Sequence, residues 1–584
     1  MTRRFLLLVC LAGTTSLAAQ MTPKKAPAPK PAGTVVNVNP AQADVQPNQT
    51  AASQQVTADT DKDLTNPRAL RLSLDDALKT SMERNVGVQI QRYDYLMAGQ
   101  SLRSSYGIFD WFTTADVLRQ SNQSPTVSQF QASATKSTVA NVGVSQLVPT
   151  GGSYTVGFDN SRVSTTGGFT LVSPAYRSSL ALGATQPLMR NFGVDVTRRT
   201  INIARNTLGI NREAFRGLLM DTAVSVEQAY LDLIYARQFV DVTKESLFLA
   251  RDQARITQIR IDVGASAPLD ILQPRVQIAT TEEQLIAAVA SVRDAEDRLR
   301  ALMHLETSDW DRPIIPTDTV GYTPIAVDQN TDVARAFDLR PELKELQLTS
   351  ATRRIEYTYA RNQVLPRLDL NLNYGAAGLG GTTAELDPIT GQPTGRLTST
   401  GYSRALNQVF GRDFPSWTFG FTVGVPVRNI GARAEAKRAE YDLAAATTSE
   451  EQQRQNIAIE VRKTVRDVDT NAKEIIASRA ARDAAEKNLD AERRRYENGM
   501  STNFQVLQIQ QQLSDARVRE IQALVGYNKA VSAYHRAVGD ILEVRNITVE
   551  EPKVEDPRIF SRFDQYNWLN YGSRIKTNPP VEPK

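Results

Sequence analysis

A segment of about a hundred residues occurs twice in this chain, and the two copies align without a gap. The copies lie 235 positions apart and share Arg260, Gly264, Ser266, Leu272 and Gln273 in the first with Arg495, Gly499, Ser501, Leu507 and Gln508 in the second. One inserted residue would rotate every later side chain of a helix by about 100° and move its apolar stripe into water. The gap-free repeat therefore predicts long helices, present twice.

A shorter similarity extends the duplication upstream. Residues 187–193 read Pro-Leu-Met-Arg-Asn-Phe-Gly, and residues 426–431 read Pro-Val-Arg-Asn-Ile-Gly. Each follows a segment of alternating apolar and polar residues. The duplicated unit is therefore a strand, a turn and a helical hairpin. A chain of 584 residues normally forms several domains, but two copies of one elongated unit can form a single structure.

The first residues have the pattern of a secretory signal. Two arginines precede an apolar run over residues 5–12, and the small residues Ser16 and Ala18 stand at the −3 and −1 positions of a cleavage site. The only cysteine, Cys10, lies in this segment, which excludes disulfides and cysteine metal sites from the mature chain. The protein is therefore expected to be exported.

Composition and periodicity divide the chain into six parts. Residues 21–68 contain few large apolar side chains, so burial cannot offset the entropy of ordering them. A first helix begins after Ser73, which caps it, and runs to about Ser105. The predicted parts are a signal peptide (1–18), a disordered Pro/Ala-rich leader (19–70), a first repeat (71–305), a linker (306–330), a second repeat (331–545) and a C-terminal tail (546–584).

No stretch of about 18 apolar residues follows the signal, so any membrane-spanning part must consist of strands. Strands are predicted at residues 109–118, 139–147, 153–158, 179–187, 366–374 and 417–425. The last two alternate one apolar face with one polar face over about nine residues, which suits an outer-membrane strand. A half-buried strand in a soluble sheet is the alternative. The polar segment 376–413 is interpreted as a long exterior loop.

These strands are too few to close a barrel from one chain, so several chains must share it. The hairpin at residues 139–158 either extends the barrel to six strands per chain or stands outside the barrel as a loop. Because the second copy has no counterpart, the loop is favoured. Residues 431–497 have helical periodicity over roughly 100 Å, with an Ala-rich stripe consisting of Ile457, Val461, Val465, Val468, Ala472 and Ile475.

Several of these segments resemble the TolC-type outer-membrane efflux proteins. The resembling segments are Leu-Asp-Asp-Ala-Leu at 74–78, Leu-Pro-Arg-Leu-Asp-Leu at 365–370, the paired strand ends at 187 and 426, and the turns at 260–272 and 495–507. The resemblance implies an α+β membrane protein, a homotrimer whose outer-membrane β-barrel receives about four strands per chain and continues into a long α-helical periplasmic barrel.

The resemblance also implies partners and a location. Such proteins lie in the outer membrane, contact its lipid, and carry substrates outward when a periplasmic adaptor (membrane fusion) protein and an inner-membrane pump of RND or ABC type dock at the helical tip. They are not enzymes and need no cofactor. The sequence supports no catalytic site, no metal site and no nucleic-acid partner. The alternative function is a structural or adhesive envelope protein without a channel.

The adaptor contacts the two helical turns in this family, which predicts a binding site at Val263, Gly264, Ala265, Ser266, Asn498, Gly499, Met500 and Ser501. Glycine allows the positive φ of a chain reversal, and small residues after it leave the backbone open. Helix termination alone would also explain the glycines.

Relatives close the tip with a tyrosine bonded to a carboxylate on the neighbouring hairpin, an arginine just past the turn and two rings of aspartates. By position the tyrosine is Tyr496 and its partner is Asp270. The arginine position holds Ser501, and the aspartate positions hold Gln505 and Gln508. The hypothesis is a gate with neutral amides and less cation selectivity than an aspartate ring would provide. Alternatively, both glutamines are solvated helix residues.

Overall fold

The computed structural model describes residues 67–125, 132–166, 171–386, 389 and 393–548. The predicted signal peptide, residues 19–66 of the leader and residues 549–584 of the tail lie outside the described residues. Contacts divide the chain after Gln49, and all described residues belong to the second unit.

The first repeat contains two short helices, four long strands and a long helical hairpin. Its elements are β1 (Leu70–Leu72), α1 (Leu74–Arg84), α2 (Val86–Ser105), β2 (Phe112–Gln123), β3 (Ala134–Leu147), β4 (Ser153–Thr166), β5 (Val172–Pro187), α3 (Arg199–Asp262) and α4 (Leu272–Met303). The single helix expected up to Ser105 is interrupted at Asn85. The Asn85 side chain accepts hydrogen bonds from the backbone N–H groups of Gly87 and Val88 and thereby caps a new helix.

The second repeat follows a short strand, which pairs in parallel with β1. Its elements are β6 (Ile314–Pro316), α5 (Gln329–Leu339), α6 (Pro341–Gln363), β7 (Arg367–Leu386), β8 (Pro393–Thr400), α7 (Tyr402–Gly411), β9 (Phe414–Gly424), α8 (Ile430–Glu497) and α9 (Asn503–Val538). The remaining described elements are single helical turns at Val194–Thr197 and Ile541–Val544 and 3₁₀ helices at Tyr106–Phe109, Pro268–Ile271 and Thr307–Asp309.

The long helices follow the predicted repeat closely. Both α3 and α8 end two residues before a glycine of the repeat, and α4 and α9 end at positions 235 apart. The predicted stripe of α8 is confirmed, because Ile457, Val461, Val468 and Ile475 are buried against α5, α6 and α9. Among the described residues, no helix combines the length and apolarity needed to cross a lipid bilayer.

One antiparallel sheet collects strands from both repeats in the order β2-β3-β4-β5-β7, and β7 also pairs with β9 and β8. The interpretation of residues 139–158 as a hairpin outside the barrel was wrong. Strands β3 and β4 pair with each other along 14 residues, and they fill the middle of the sheet between β2 and β5. The chain thus contributes six long strands and the shorter β8, where about four were expected.

The turn between β3 and β4 lies at the helix-proximal end of the sheet. Gly193 donates its N–H to the carbonyl of Thr150, and the Thr150 hydroxyl donates to Gln186 Oε1 at 2.8 Å. Gly151 has φ 91°, and a Cβ on it would lie 2.3 Å from the backbone carbonyl oxygen of Asn191, so glycine is required for this close approach. The turn therefore packs against the junction where β5 leads into the helical region.

The sheet has one apolar and one polar face. Residues paired directly across strands point to the same side. One row of the apolar face consists of Val144, Val156, Leu182, Tyr374 and Trp417, and the adjacent row of the polar face consists of Ser145, Thr155, Gly183, Asn373 and Thr418. The predicted alternation is confirmed for residues 179–187, 366–374 and 417–425, whereas β2 departs from it, with Leu118 on the polar face and Arg119 on the apolar face.

Segment 376–413 is not the irregular exterior loop that was expected. It continues β7, forms β8 and then forms α7, which lies on the apolar face. The ring of Tyr402 meets that of Tyr176 with centroids 6.2 Å apart, and the ring of Phe410 stacks on Phe158 at 6.4 Å. The glycines of this segment had suggested a loop, but Gly378 is needed because a Cβ there would lie 1.9 Å from the carbonyl oxygen of Ala405.

Candidate functional site at the two helical turns

The two helical turns have the same backbone conformation. The first turn (residues 263–266) has Gly264 at φ 75°, and the second turn (residues 498–502) has Gly499 at φ 75°. In the first turn, Ala265 donates its N–H to the carbonyl of Arg260 at 2.7 Å; in the second, Met500 donates to Arg495 at 2.9 Å. This is the Schellman pattern, which satisfies the last carbonyls of a helix. Helix termination therefore explains the two glycines.

The turns leave their backbone accessible. A Cβ built on Gly264 or Gly499 would meet no atom within 4 Å, so the positive φ alone requires glycine. The apolar side chains beside them, Val263 and Met500, are each 71% exposed. Each turn thus carries one exposed apolar side chain, and together these offer a binding surface to a partner.

Asp270 and Gln505 are equivalent residues of the two repeats and perform the same local task. The Asp270 carboxylate accepts the N–H of Ala267 at 3.1 Å. Gln505 Oε1 accepts the N–H of Thr502 at 3.4 Å, while the Thr502 hydroxyl accepts the N–H of Gln505. Both side chains therefore stabilise the start of the returning helix. Both remain exposed, as does Gln508 one turn further along α9.

The expected bond between Tyr496 and Asp270 is not made within the described chain. Tyr496 is instead covered by Arg260, whose Cζ atom lies 4.0 Å from the ring centroid and whose Nη2 atom donates to the Tyr496 carbonyl at 2.8 Å. The Asp270 carboxylate is engaged in its own helix cap. The stacked guanidinium and its hydrogen bond to the backbone thus hold Tyr496 to the end of α3.

Ser501 links the second turn back to α8. The Ser501 hydroxyl donates to the carboxylate of Glu492, a residue only 6% exposed. Gln505 Oε1 lies 3.0 Å from the Ser501 hydroxyl oxygen. Arg495 also reaches Glu492, at 3.4 Å. The position where relatives hold an arginine is therefore occupied here by a hydroxyl that closes a local network.

Further polar contacts join the two hairpins. Gln253 of α3 donates to Asn503 of α9 at 2.8 Å, and Asn503 donates to the carbonyl of Asp270 at 3.3 Å. Sequence reasoning missed Arg260, Glu492 and Asn503 as members of this site. Arg260 had a detectable signal, because it recurs as Arg495 in the repeat, whereas the other two carry none that one sequence reveals.

A family model described as outer membrane efflux protein matches residues 124–303 and 333–540, more than half of the chain. Among curated proteins, the chain is 29% identical over 100 residues to the outer membrane efflux protein BepC of Brucella suis biovar 1 (strain 1330). This alignment covers 17% of the chain and 22% of BepC. The chain thus matches less than a quarter of that relative's length.

Solved outer-membrane channels have a similar fold. The Campylobacter jejuni CmeC channel superposes with a TM-score of 0.58 at 14% identity, covering 85% of this chain and 89% of that one. The outer-membrane channel OprN superposes with a TM-score of 0.55 at 17% identity, covering 82% and 91%. At such identities the likeness concerns the fold: a sheet continued by long helices, which here is built from two repeats.

Proposed function

The chain belongs to the outer membrane efflux protein family, and from this premise we propose that it is the outer-membrane channel subunit of a tripartite efflux or type I secretion system. Three copies share one barrel and one helical conduit, which carries substrates from an inner-membrane pump of RND or ABC type to the exterior. The protein is a passive conduit. In this proposal residues 1–18 direct export, the two repeats span 71–305 and 331–545, and 306–330 joins them.

The observation that carries this proposal is the sheet. Its apolar and polar faces suit a wall between lipid and water. Its outer strands, β2 on one side and β9 with β8 on the other, each pair along one edge only among the described strands. Open edges of this length are avoided unless another chain covers them. Pairing β2 of one copy with the opposite edge of the next satisfies both edges and closes a barrel.

The two turns form the docking site for a periplasmic adaptor in this proposal. Their exposed Val263 and Met500 supply apolar contact, and the open backbone around Gly264 and Gly499 admits a close partner. Because both turns have the same conformation, one adaptor motif can bind at either position. Because the caps at Asp270 and Gln505 already order the turns, binding of the adaptor does not have to order them.

We further propose that the tip is the gate. Arg260 holds Tyr496, and thereby α8, against α3, while Asp270, Gln505 and Gln508 lie nearby on the returning helices. With neutral amides at two of these positions, the constriction attracts cations less than a ring of carboxylates would.

Planar-bilayer recording of the purified, reconstituted protein tests the channel and the gate together. The expected result is a trimer with a small conductance that rises in the Asp270→Ala/Gln505→Ala variant, because the caps that hold the returning helices are lost. Asp262→Ala, at the same level but outside the caps, is the matched control. A conductance unchanged by the double variant contradicts the gate, and a monomer without conductance favours the structural or adhesive alternative.

Crosslinking tests the docking site. The predicted mature chain has no cysteine, so Met500→Cys provides a single attachment point in the second turn. We expect crosslinks to a periplasmic adaptor in intact cell envelopes, and none from Ser449→Cys, an exposed position in the first third of α8, far from the turn. Equal capture from both positions contradicts the assignment of the turns.

A further inference from the structure

The sheet carries a second surface that the channel function does not require, on its apolar face at the end distant from the long helices. Helix α7 lies there across β7 and β5, and its own residues Ala405 and Val409 are buried. The Gln408 side chain accepts the N–H of Leu379 at 2.8 Å. This N–H lies on the edge of β7 that pairs with β9 and β8, in the short gap between those two strands. The helix is therefore a fixed part of the sheet's outer side.

The level of α7 follows from the length of β7. Strand β7 begins at Arg367, its end nearest the long helices. Gly378, which contacts α7, is eleven residues further along the strand. At about 3.3 Å per residue the distance is roughly 36 Å along the strand, or about 28 Å along the membrane normal for a strand tilted by about 40°. The apolar band of an outer-membrane barrel is about 25 Å tall. Helix α7 therefore lies where hydrocarbon gives way to headgroups.

Basic residues are concentrated at this level. Arg162 of β4 lies on the same face as Tyr176, its pairing partner under α7, and Arg119 of β2 belongs to the same row. Arg404 and Arg412 lie on α7 and at its C-terminal end, and all four arginines are exposed. Within the described part of the chain, none of these four arginines pairs with a carboxylate. The strand residues in the row of Arg162, and in the next row toward the long helices, include no Asp or Glu.

An apolar hollow lies on the same face, about six residues or roughly 20 Å nearer the long helices along the strands. It has a volume of about 470 Å³ and is lined on the apolar face by Leu182, Tyr374, Trp417 and Phe419, among others. Guanidinium groups recognise phosphate oxygens, whereas an aromatic and aliphatic hollow favours hydrocarbon. A ligand that satisfies both regions must carry a phosphate next to an acyl chain.

We propose that α7, Arg162 and the hollow form a binding surface for an anionic lipid of the outer membrane, with its headgroup at the level of Arg162, Arg404 and Arg412 and an acyl chain that extends toward Trp417. This inference rests on the proposed function, because it requires the apolar face to contact the bilayer. Strands β4, β5, β7 and β9 and helix α7 of one chain supply all of the site.

Fluorescence quenching of Trp417 tests the site in the full-length, reconstituted protein. Trp111, Trp310 and Trp568 are replaced by phenylalanine, which leaves Trp417 as the only tryptophan. Vesicles then contain increasing fractions of phosphatidylglycerol or phosphatidylcholine with brominated acyl chains. We expect phosphatidylglycerol to bind beside Trp417 about fivefold more strongly, the factor that about one arginine contributes at an anionic surface. The Arg162→Gln/Arg404→Gln/Arg412→Gln variant should lose this preference.

Arg177→Gln is the matched control, because Arg177 follows Tyr176 in β5 and lies on the polar face; it should keep the preference. Equal quenching by the two lipids in the parent protein overturns the lipid site and leaves the channel intact. No quenching by either lipid removes Trp417 from the bilayer and overturns the proposed function as well. Loss of the preference on adding inorganic phosphate would make a soluble anion the occupant and also overturn the lipid site.

Discussion

Single residues at the tip show how one repeated residue type acquires two roles. Arg260 and Arg495 occupy equivalent positions, but only Arg260 stacks on a ring and donates to the backbone of the other hairpin. Arg495 is 66% exposed at its side chain and reaches only Glu492. The repeat explains why an arginine stands at both positions. The contact between the end of α3 and the end of α8 decides which of them joins the hairpins.

We expect Arg260→Gln to open the tip. A stacked guanidinium is worth about 1–2 kcal/mol, so its loss should increase the ratio of open to closed channels by about tenfold, as measured by open probability in planar bilayers. Arg495→Gln is the control and should gate like the wild type. Similar gating of the two variants would show that the Arg260 contact does not hold the tip.

A half-buried carboxyl group makes stability depend on pH far from the tip. Burial raises the pKa of Glu345 on α6 to about 7, and the nearby carboxylates of Glu342 and Glu213 contribute to the increase. The pKa of Glu342 itself is lowered: although burial opposes this, the charges of Arg536 and Arg340 outweigh it. Glu345 is therefore the carboxyl group of this cluster that retains its proton near neutral pH.

The sign of the pH effect follows from the raised pKa. Between about pH 4.5 and about pH 7 the folded protein holds a proton on Glu345 that the unfolded chain releases, so the free energy of unfolding falls as the pH rises through this window. Thermal unfolding at several pH values should show a smaller fall for Glu345→Gln. Glu356→Gln on the same helix, paired with Arg353, should behave like the wild type. Identical pH profiles for all three proteins would contradict the assignment.

Among the elements, β3 and β4 show the limit of reasoning from a repeat. Their alternation and the turn between them were read correctly, but comparison with the second repeat suggested that they stood outside the sheet. The second repeat uses β8 and α7 in the corresponding connection. Backbone hydrogen bonding places β3 and β4 in the sheet, because their N–H and C=O groups pair with those of β2 and β5.

Helix α7 depends on a glycine at its contact with β7. We expect Gly378→Val to displace α7, because even a Cβ at this position would overlap the carbonyl oxygen of Ala405. Trypsin should then cleave after Arg404 and Arg412 faster than in the wild type, as followed by mass spectrometry of the fragments. Gly420→Val, where a Cβ would meet nothing within 4 Å, is the control. Equal cleavage rates in the two variants would show that α7 does not need this close contact.

The number of strands in the shared sheet sets the width of the barrel in the assembled protein. Three chains with six long strands each give eighteen strands, where four strands per chain would give twelve. Barrel diameter grows roughly in proportion to strand number, so we expect a barrel about 1.5 times as wide as a twelve-stranded one. Electron cryomicroscopy of the reconstituted trimer measures this diameter directly.

Deleting β3 and β4 provides the matched comparison for the width. Strands β2 and β5 run in opposite directions, so a short turn in place of residues 124–171 permits them to pair directly. The shortened protein should assemble into a narrower, twelve-stranded barrel. An unchanged diameter in a folded, trimeric variant would show that the hairpin does not form part of the wall.

The sequence by itself determined the repeat, the long helices, the two turns, most strands and the two-faced alternation, because helix and strand periodicity and glycine conformation are local properties. Asp270 and Gln505 were predicted as gate residues from the resemblance to the efflux family. Only the tertiary structure decided that Arg260 covers Tyr496, that Asp270 caps its own helix, that β3 and β4 complete the sheet and that α7 lies on its apolar face. These outcomes depend on contacts between residues distant in the chain, where pairing and packing select among arrangements that local patterns permit equally.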